Sequence, residues 1–309
     1  MTRTIVISDT HMPRRNRVAS ARLLEPLLGA CDRLLVNGDL AETHKQELIE
    51  PVEREIRLLL DLSERAGTEL LLLAGNHDPE LSPWRAAEFG EGRIVVTHGD
   101  AFQSNIAPWA REAAVMHEEW ERIRELHPGE ETIESRFDSV RGAAIVEWGI
   151  DPTSPGYSTV PSLMLRPGAV LRILQQWRRF PELARRFAQA FFPRADWMVV
   201  GHCHRNGISR SRRPGVINTG AFGFPTSPLA VILEGDELEV RRLARGTHGW
   251  TVEGTTCILR EEVPHAERLC ALHGPPEERP PGGRHMESAQ VTYPTRTIRI
   301  SGDDEATTA

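Results

Sequence analysis

The chain has 309 residues, 39% of them hydrophobic, and a net charge of −7 at pH 7. That is enough apolar material for a full core, and the acidic balance gives no basis for general nucleic-acid binding, so no nucleic-acid partner is expected. No apolar run approaches the roughly 18 residues of a membrane span, and the N-terminal TRTIVIS lacks the charged-then-apolar pattern of a signal peptide, which makes the cytoplasm the expected compartment. Four widely spaced cysteines (31, 203, 257 and 270) form no CxxC pair, which argues against a disulfide framework or a cysteine-bound structural zinc.

Taken in chain order, the first hundred residues alternate between two patterns. Short apolar runs at IVIS (5–8), RLLV (33–36), ELLLLA (69–74) and RIVVT (93–97) read as buried strands. Between the second and third, Leu48, Ile49, Val52, Ile56, Leu59 and Leu60 recur at helical spacing, with Pro51 tolerable only in a first turn. Strand and helix alternating in this way predict an α/β sheet with helices on its faces, in which ligands gather at the carboxyl ends of the strands. Further on, WMVV (197–200) reads as a strand, GVINTGAFG (215–223) as a strand ending in a glycine turn, and LAVILEGDELEVRRL (229–243) as a hairpin joined at Gly-Asp.

The chemistry lies just past the end of each strand. IVIS runs into Asp9-Thr-His11, RLLV into Asn37-Gly-Asp39, LLLLA into Gly75-Asn76-His77-Asp78, RIVVT into His98-Gly-Asp100, and WMVV into Gly201-His202-Cys203-His204. Any one of these has an ordinary explanation, because Asp, Asn and Gly serve turns. Five in succession point to one site. On an extended segment His202 and His204 face one side while Cys203 faces the other, as a small buried side chain. Carboxylate, imidazole and amide oxygen together suit Mn²⁺, Fe²⁺ or Zn²⁺ rather than Ca²⁺. The donors are too many for one ion. Two ions roughly 3.5–4 Å apart, sharing a bridging carboxylate, would clamp phosphate oxygens and lower the pKa of a bound water.

With DTH, NGD, GNHD, THGD and GHCH in that order, the chain resembles the calcineurin-like metallophosphoesterases over residues 4 to about 243. The resemblance implies an α/β (α+β mixed) sandwich of two mixed sheets flanked by helices, with the site at one edge. It also implies that Asp9, His11 and His204 hold one divalent ion, that Asn76, His98 and His202 hold the other, and that Asp39 bridges them, with Mn²⁺ expected first and Fe or Zn as alternatives. His77 would protonate the leaving group or stabilise phosphorane charge, with Asp78 nearby to orient it. Asp100 is expected to serve its turn.

The metallophosphoesterase domain is expected at 1–245, with an insert at 103–194 long enough to carry its own helical structure as a cap, and a largely flexible C-terminal extension at 246–309, in which GWTVEGTTCILR can add a strand before the proline- and glycine-rich GPPEERPPGGRH. Within the insert, residues 166–194 carry seven arginines against one glutamate, interleaved with Leu171, Leu174, Trp177, Phe180, Leu183, Phe187 and Phe191 at helical spacing. They read as a pair of packed helices with a solvated arginine face, or as a cap that meets an anionic substrate with a greasy part or an anionic membrane surface, which would put the protein at the periphery of the inner membrane. A helical insert before the last histidine block, with THGD, GHCH and NTGAFG, is similar to the UDP-2,3-diacylglucosamine pyrophosphatases. Many of those carry arginine where this chain has His77. The substrate expected is a phosphorylated small molecule or lipid-linked nucleotide with a phosphodiester or pyrophosphate bond; the alternatives are a general nucleotide, cyclic or monoester phosphatase activity, or a metal-binding scaffold that docks through the basic helices. Arg14, Arg15 and Arg17, and Arg205 with Asn206, are the candidate phosphate contacts, because guanidinium matches phosphate oxygens in bidentate fashion.

Overall fold

The computed structural model describes residues 1–43, 46–110, 112–150, 167–223 and 226–276. The strands are β1 (Thr4–Ile7), β2 (Arg33–Asn37), β3 (Glu69–Leu73), β4 (Ala86–Phe89), β5 (Ile94–Thr97), β6 (Trp197–Val200), β7 (Gly207–Ser209), β8 (Gly215–Asn218), β9 (Leu229–Glu234), β10 (Glu237–Arg245), β11 (Trp250–Glu262) and β12 (Leu269–His273). They form two six-stranded sheets, in the orders β11-β10-β9-β1-β2-β3 and β12-β4-β5-β6-β8-β7. Both are mixed: β1, β2 and β3 run parallel, as do β5, β6 and β8, and the flanking pairs are antiparallel. Helices cover the outer faces. The principal ones are α1 (Glu25–Leu28), α2 (Ile49–Ala66), α3 (Ala113–Arg124), α4 (Ile133–Ile150) and α5 (Pro167–Phe191).

The core has three layers, and alternation along the strands decides which residue enters which. Ile5 and Ile7 of β1 pack with Leu34, Val36 and the Val52, Ile56, Leu59 stripe of α2. Val6, Leu35 and Leu71 face the other way and meet Val96, Val199 and Ile217 between the sheets. The outer face of the second sheet, with Val95, Met198, Val200 and Val216, is covered by Trp120 of α3, Phe137 of α4 and Phe180 and Phe187 of α5. Strands covered on both faces have to be apolar throughout, hence the continuous runs in the sequence. Pro51 stands in the first turn of α2, where its missing N–H breaks no helical bond.

Two expectations are corrected. GWTVEGTTCILR does add a strand, β11, paired with β10 at one sheet edge, but the extension does not begin at 246, because β12 as well pairs with β4 at the edge of the other sheet. The polar composition of β11 follows from its edge position, and its partner lies within a hairpin. Residues 277–309, read as a flexible tail, lie outside the described residues. Residues 167–191 are one helix running through Pro181 and not a pair. Along α5 only the second half of the apolar stripe is covered: Phe180 and Phe187 are buried, while Leu171 and Leu174 are 56% and 51% exposed. Among the described residues no helix is long and apolar enough to cross a membrane.

The topology positions the site. Parallel β1, β2 and β3 end at one edge of the first sheet, and β5 and β6 end together in the second. The loops at these ends are laced to one another: Asp9 N–H donates to Gly38 O, Gly38 N–H to Leu73 O, His11 N–H to Asp39 O, and Gly201 N–H to His98 O. Between the sheets, Asn37 Nδ2 donates to Thr97 O at 3.0 Å.

Candidate metal centre

Five of the seven candidate ligands, Asp9, His11, Asp39, His202 and His204, have left-handed backbones, with φ between 47° and 68°. Each costs about 1–3 kcal/mol in a non-glycine residue, and such strain collects where side chains must be aimed. Neighbouring glycines make room for the ligands. A Cβ on Gly75 would stand 2.3 Å from Asp39 Oδ1, and one on Gly201 would stand 2.4 Å from Asp9 Oδ2. This is the physical reason for glycine in the GNHD and GHCH blocks.

The strained loops bring the side chains together. Ligand atoms of Asp9, His11, Asp39 and His204 all lie within 4.8 Å of one another. His204 Nε2 is 3.2 Å from Asp9 Oδ1 and 2.9 Å from His11 Nε2. Asp39 faces both halves of the cluster, its Oδ2 3.2 Å from His98 Nε2 and 3.7 Å from His11 Nε2. The second half continues from His98, whose ring is 5.2 Å from that of His202, and His202 Nδ1 is 2.9 Å from Asn76 Oδ1.

Three imidazoles are held in a common manner. His11 Nδ1 lies 2.7 Å from the Glu42 carboxylate, His98 Nδ1 lies 3.0 Å from Asn37 O, and His202 Nε2 lies 2.8 Å from Ile106 O. Each of these partners is an acceptor, so each pinned nitrogen carries a proton and the other nitrogen is turned toward the cluster. The consequences are visible at two of them. His98 Nε2 is buried with no well-aligned hydrogen bond, only the Asp39 carboxylate oxygen at 3.2 Å, and His202 Nδ1 faces the Asn76 carbonyl oxygen, acceptor to acceptor. A divalent cation among these atoms resolves both conflicts, and pinning of the outer nitrogen in this way is how metal-binding histidines are held. The clustered Asp and His residues therefore fit a divalent metal site.

The electrostatics of the metal-free protein agree. Burial pushes His11 and His202 down to about 4, keeping the rings neutral. Burial also opposes charge on His98, but Asp39 beside it lifts it well above the ordinary histidine range. Burial likewise opposes ionisation of Asp39, yet His98 and His77 hold its carboxyl well below the usual range. Positive charge is drawn into this cluster even without an ion.

His77 stands at the rim with its side chain 23% exposed and its Nε2 4.0 Å from Asp39 Oδ2, while its backbone N–H donates to Asp39 Oδ1 at 2.9 Å. Asp78 does not orient it. The Asp78 carboxylate is turned inward and accepts backbone N–H groups from Gly75, Asp39, Leu40 and Ala41, tying the GNHD loop to the NGD loop. Burial and the nearby Asp39 push its carboxyl up to about 7. The carboxylate beside His77 is Glu42, fully buried, at 3.2 Å from His77 Nδ1. Burial disfavours a charge on His77, but Glu42 and Asp39 raise it to about 9. The sequence reading missed Glu42; its only signal was a carboxylate three residues after Asp39 in the same loop.

The candidate arginines divide. Arg14 Nη2 lies 2.7 Å from Glu42 Oε2, and Arg17 reaches Phe222 O and His204 Nδ1, each at 3.3 Å, so both border the cluster. Arg15 is exposed on the loop, and Arg205 lies over the Trp177 ring at 5.6 Å. Asn206 ties its loop to the one before β9, bonding Thr226 and Ser227. Asp100 pairs with buried Arg85 at 3.0 Å, and Arg85 in turn donates to Gly75 O. Cys203 is buried, which pushes its thiol up to about 12.

Two mixed sheets flanked by helices, with a mixed Asp, His and Asn cluster across their carboxyl ends, define a metallophosphoesterase-type fold and site. The chain belongs to the calcineurin-like phosphoesterase family, whose match spans residues 2–206. Among curated proteins no sequence matches. Similar solved structures include Vacuolar Protein Sorting 29 from Cryptosporidium parvum, 14% identical, covering 84% of this chain and 98% of that one with a TM-score of 0.37. A predicted phosphoesterase from Streptococcus pneumoniae is 15% identical, covering 84% and 97% with a TM-score of 0.36. An archaeal phosphodiesterase is 11% identical, covering 81% and 98% with a TM-score of 0.31.

Proposed function

We propose that the protein is a two-metal hydrolase of a phosphodiester or pyrophosphate bond. The observation that carries this reading is the convergence of three pinned imidazoles, His11, His98 and His202, on Asp9, Asp39 and Asn76. Asp9, His11 and His204 would hold one ion, Asn76, His98 and His202 the second, and Asp39 both. Divalent ions bound there supply Lewis acidity toward phosphate oxygens and toward a water.

The chain's own residues do the rest. Asp39 sets the spacing between the two halves. His77, its Nδ1 turned to Glu42, offers Nε2 at the open rim, placed to give a proton to the leaving-group oxygen. Arg17, beside His204, is the arginine best placed to meet a phosphate oxygen, ahead of Arg15 and Arg205.

The substrate class proposed is a nucleotide diphosphate or its lipid-linked form, taken up in the cytoplasm or at the inner membrane surface, with Leu171 and Leu174 among the exposed Arg172, Arg178 and Arg179 of α5 as the contact face. A second reading, a general nucleotide or cyclic phosphodiesterase, is favoured by histidine at position 77. Chelated protein titrated with Mn²⁺ should take up two ions and then cleave bis(p-nitrophenyl) phosphate, and a panel of UDP-diacylglucosamine, dinucleoside polyphosphates, cyclic nucleotides and monoesters should single out one group. Uptake of metal without turnover of any of them would leave a docking scaffold instead.

A further inference from the structure

The helical insert touches the second half of the cluster from two directions. Ile106, at the start of the insert, supplies the carbonyl oxygen 2.8 Å from His202 Nε2, and its own side chain is buried in the core layer beneath α5. The His202 ring neighbours two aromatics of the insert, Trp109 at 5.6 Å with a 43° tilt and Phe180 of α5 at 6.2 Å and 29°. At the next residue of the loop, Trp177 Nε1 donates to Cys203 O at 2.7 Å.

The loop that carries Ile106 is itself fastened to α5. Gln103 Nε2 donates to Asn105 O at 2.7 Å and to Gln176 Oε1 at 3.3 Å, and Phe102 packs against Phe180 and Phe187 with ring centroids 5.3 and 5.0 Å apart. His202 is thus the ligand whose outer nitrogen is pinned by the insert, whereas His11 and His98 are pinned by Glu42 and Asn37 of the β2 end. A ring held by a carbonyl at one nitrogen and packed against two aromatic rings has its tautomer and its orientation restricted together.

We infer that Trp109 and Phe180 are positioning residues for the second metal site, so that the insert is a wall of that site and not a removable cover. This rests on the two-metal reading proposed above. Without the aromatic clamp, the His202 ring can rotate about its side-chain bonds and Nδ1 leaves the side of Asn76. Loss of such outer-shell support typically costs 10- to 100-fold in metal affinity, and here the loss falls on one ion only, because Asp9, His11 and His204 owe nothing to Trp109.

The test is calorimetric titration of chelated full-length protein with Mn²⁺, comparing wild type, Trp109→Ala and Trp109→Phe, with Phe180→Leu as a second variant that removes the aromatic ring while keeping a large apolar side chain. Two ions on the wild type, one of them weakened about 10- to 100-fold in Trp109→Ala and Phe180→Leu and restored in Trp109→Phe, is the expected result. Two ions bound by the variants with wild-type affinities overturns the inference alone. So does equal weakening of both ions, which would mark general destabilisation. A wild type that takes up fewer than two ions overturns the two-metal reading and the inference with it.

Discussion

Replacing Glu42 with glutamine keeps the shape of the side chain and removes its charge from beneath three partners, His11 Nδ1 at 2.7 Å, Arg14 Nη2 at 2.7 Å and His77 Nδ1 at 3.2 Å. Removing one member of a buried charge network costs about 3–5 kcal/mol. Part of that cost depends on pH. His77 titrates at 6.5 when unfolded and is raised to about 9 in the folded, metal-free protein, with Glu42 and Asp39 working against burial. A raised histidine contributes stability fully present below pH 6.5 and lost as pH climbs through about 9, and an interval of this width is worth about 3 kcal/mol. Asp39 supplies a share, so about 2 kcal/mol of it should depend on Glu42. Urea denaturation of chelator-treated wild type and Glu42→Gln at about pH 5.5 and pH 10 should then show a stability gap that narrows by about 2 kcal/mol at the higher pH. A gap that is equal at both pH values, or wider at pH 10, would refute the reasoning.

Asp39→Ala removes the carboxylate that faces both halves of the cluster, and should abolish Mn²⁺ uptake and phosphodiester hydrolysis together; retained uptake of two ions would contradict its bridging place. His77→Asn should lower turnover of bis(p-nitrophenyl) phosphate by about 10²- to 10⁴-fold while leaving metal stoichiometry unchanged, and a rate close to wild type would remove His77 from proton transfer. Gly75→Ala puts a methyl group 2.3 Å from Asp39 Oδ1; overpacking of this kind costs about 1–3 kcal/mol, to be read as a lowered melting temperature with weakened metal binding. Adding Mn²⁺ at 100 times its dissociation constant should stabilise the protein by about 2.7 kcal/mol per site, and a melting temperature indifferent to metal would count against a native-state site.

The sequence alone determined the parts of this protein whose signals are local. A strand covered on both faces has to be apolar throughout, so β1, β2, β3, β5 and β6 stood out as runs, and the loops after them concentrated Asp, His, Asn and Gly because left-handed turns and close approaches tolerate little else at a ligand cluster. Edge strands gave weaker signals. The polar β11 and the short β12 find their partners across the sheets, as does the AAEF of β4 just inside β12, and nothing local specifies that pairing. Roles that depend on where a side chain points were decided only by the tertiary structure. Asp78 is the chain neighbour of His77, yet it turns inward to four backbone N–H groups, and Glu42 takes the place beside His77. The amphipathic pattern of residues 166–194 revealed helical structure but not that it is a single helix or which of its turns are covered, and it could not place Phe180 against His202, because that contact joins segments brought together by the second sheet. Patterning records burial along one element, whereas orientation at a site is set by what other elements press against it.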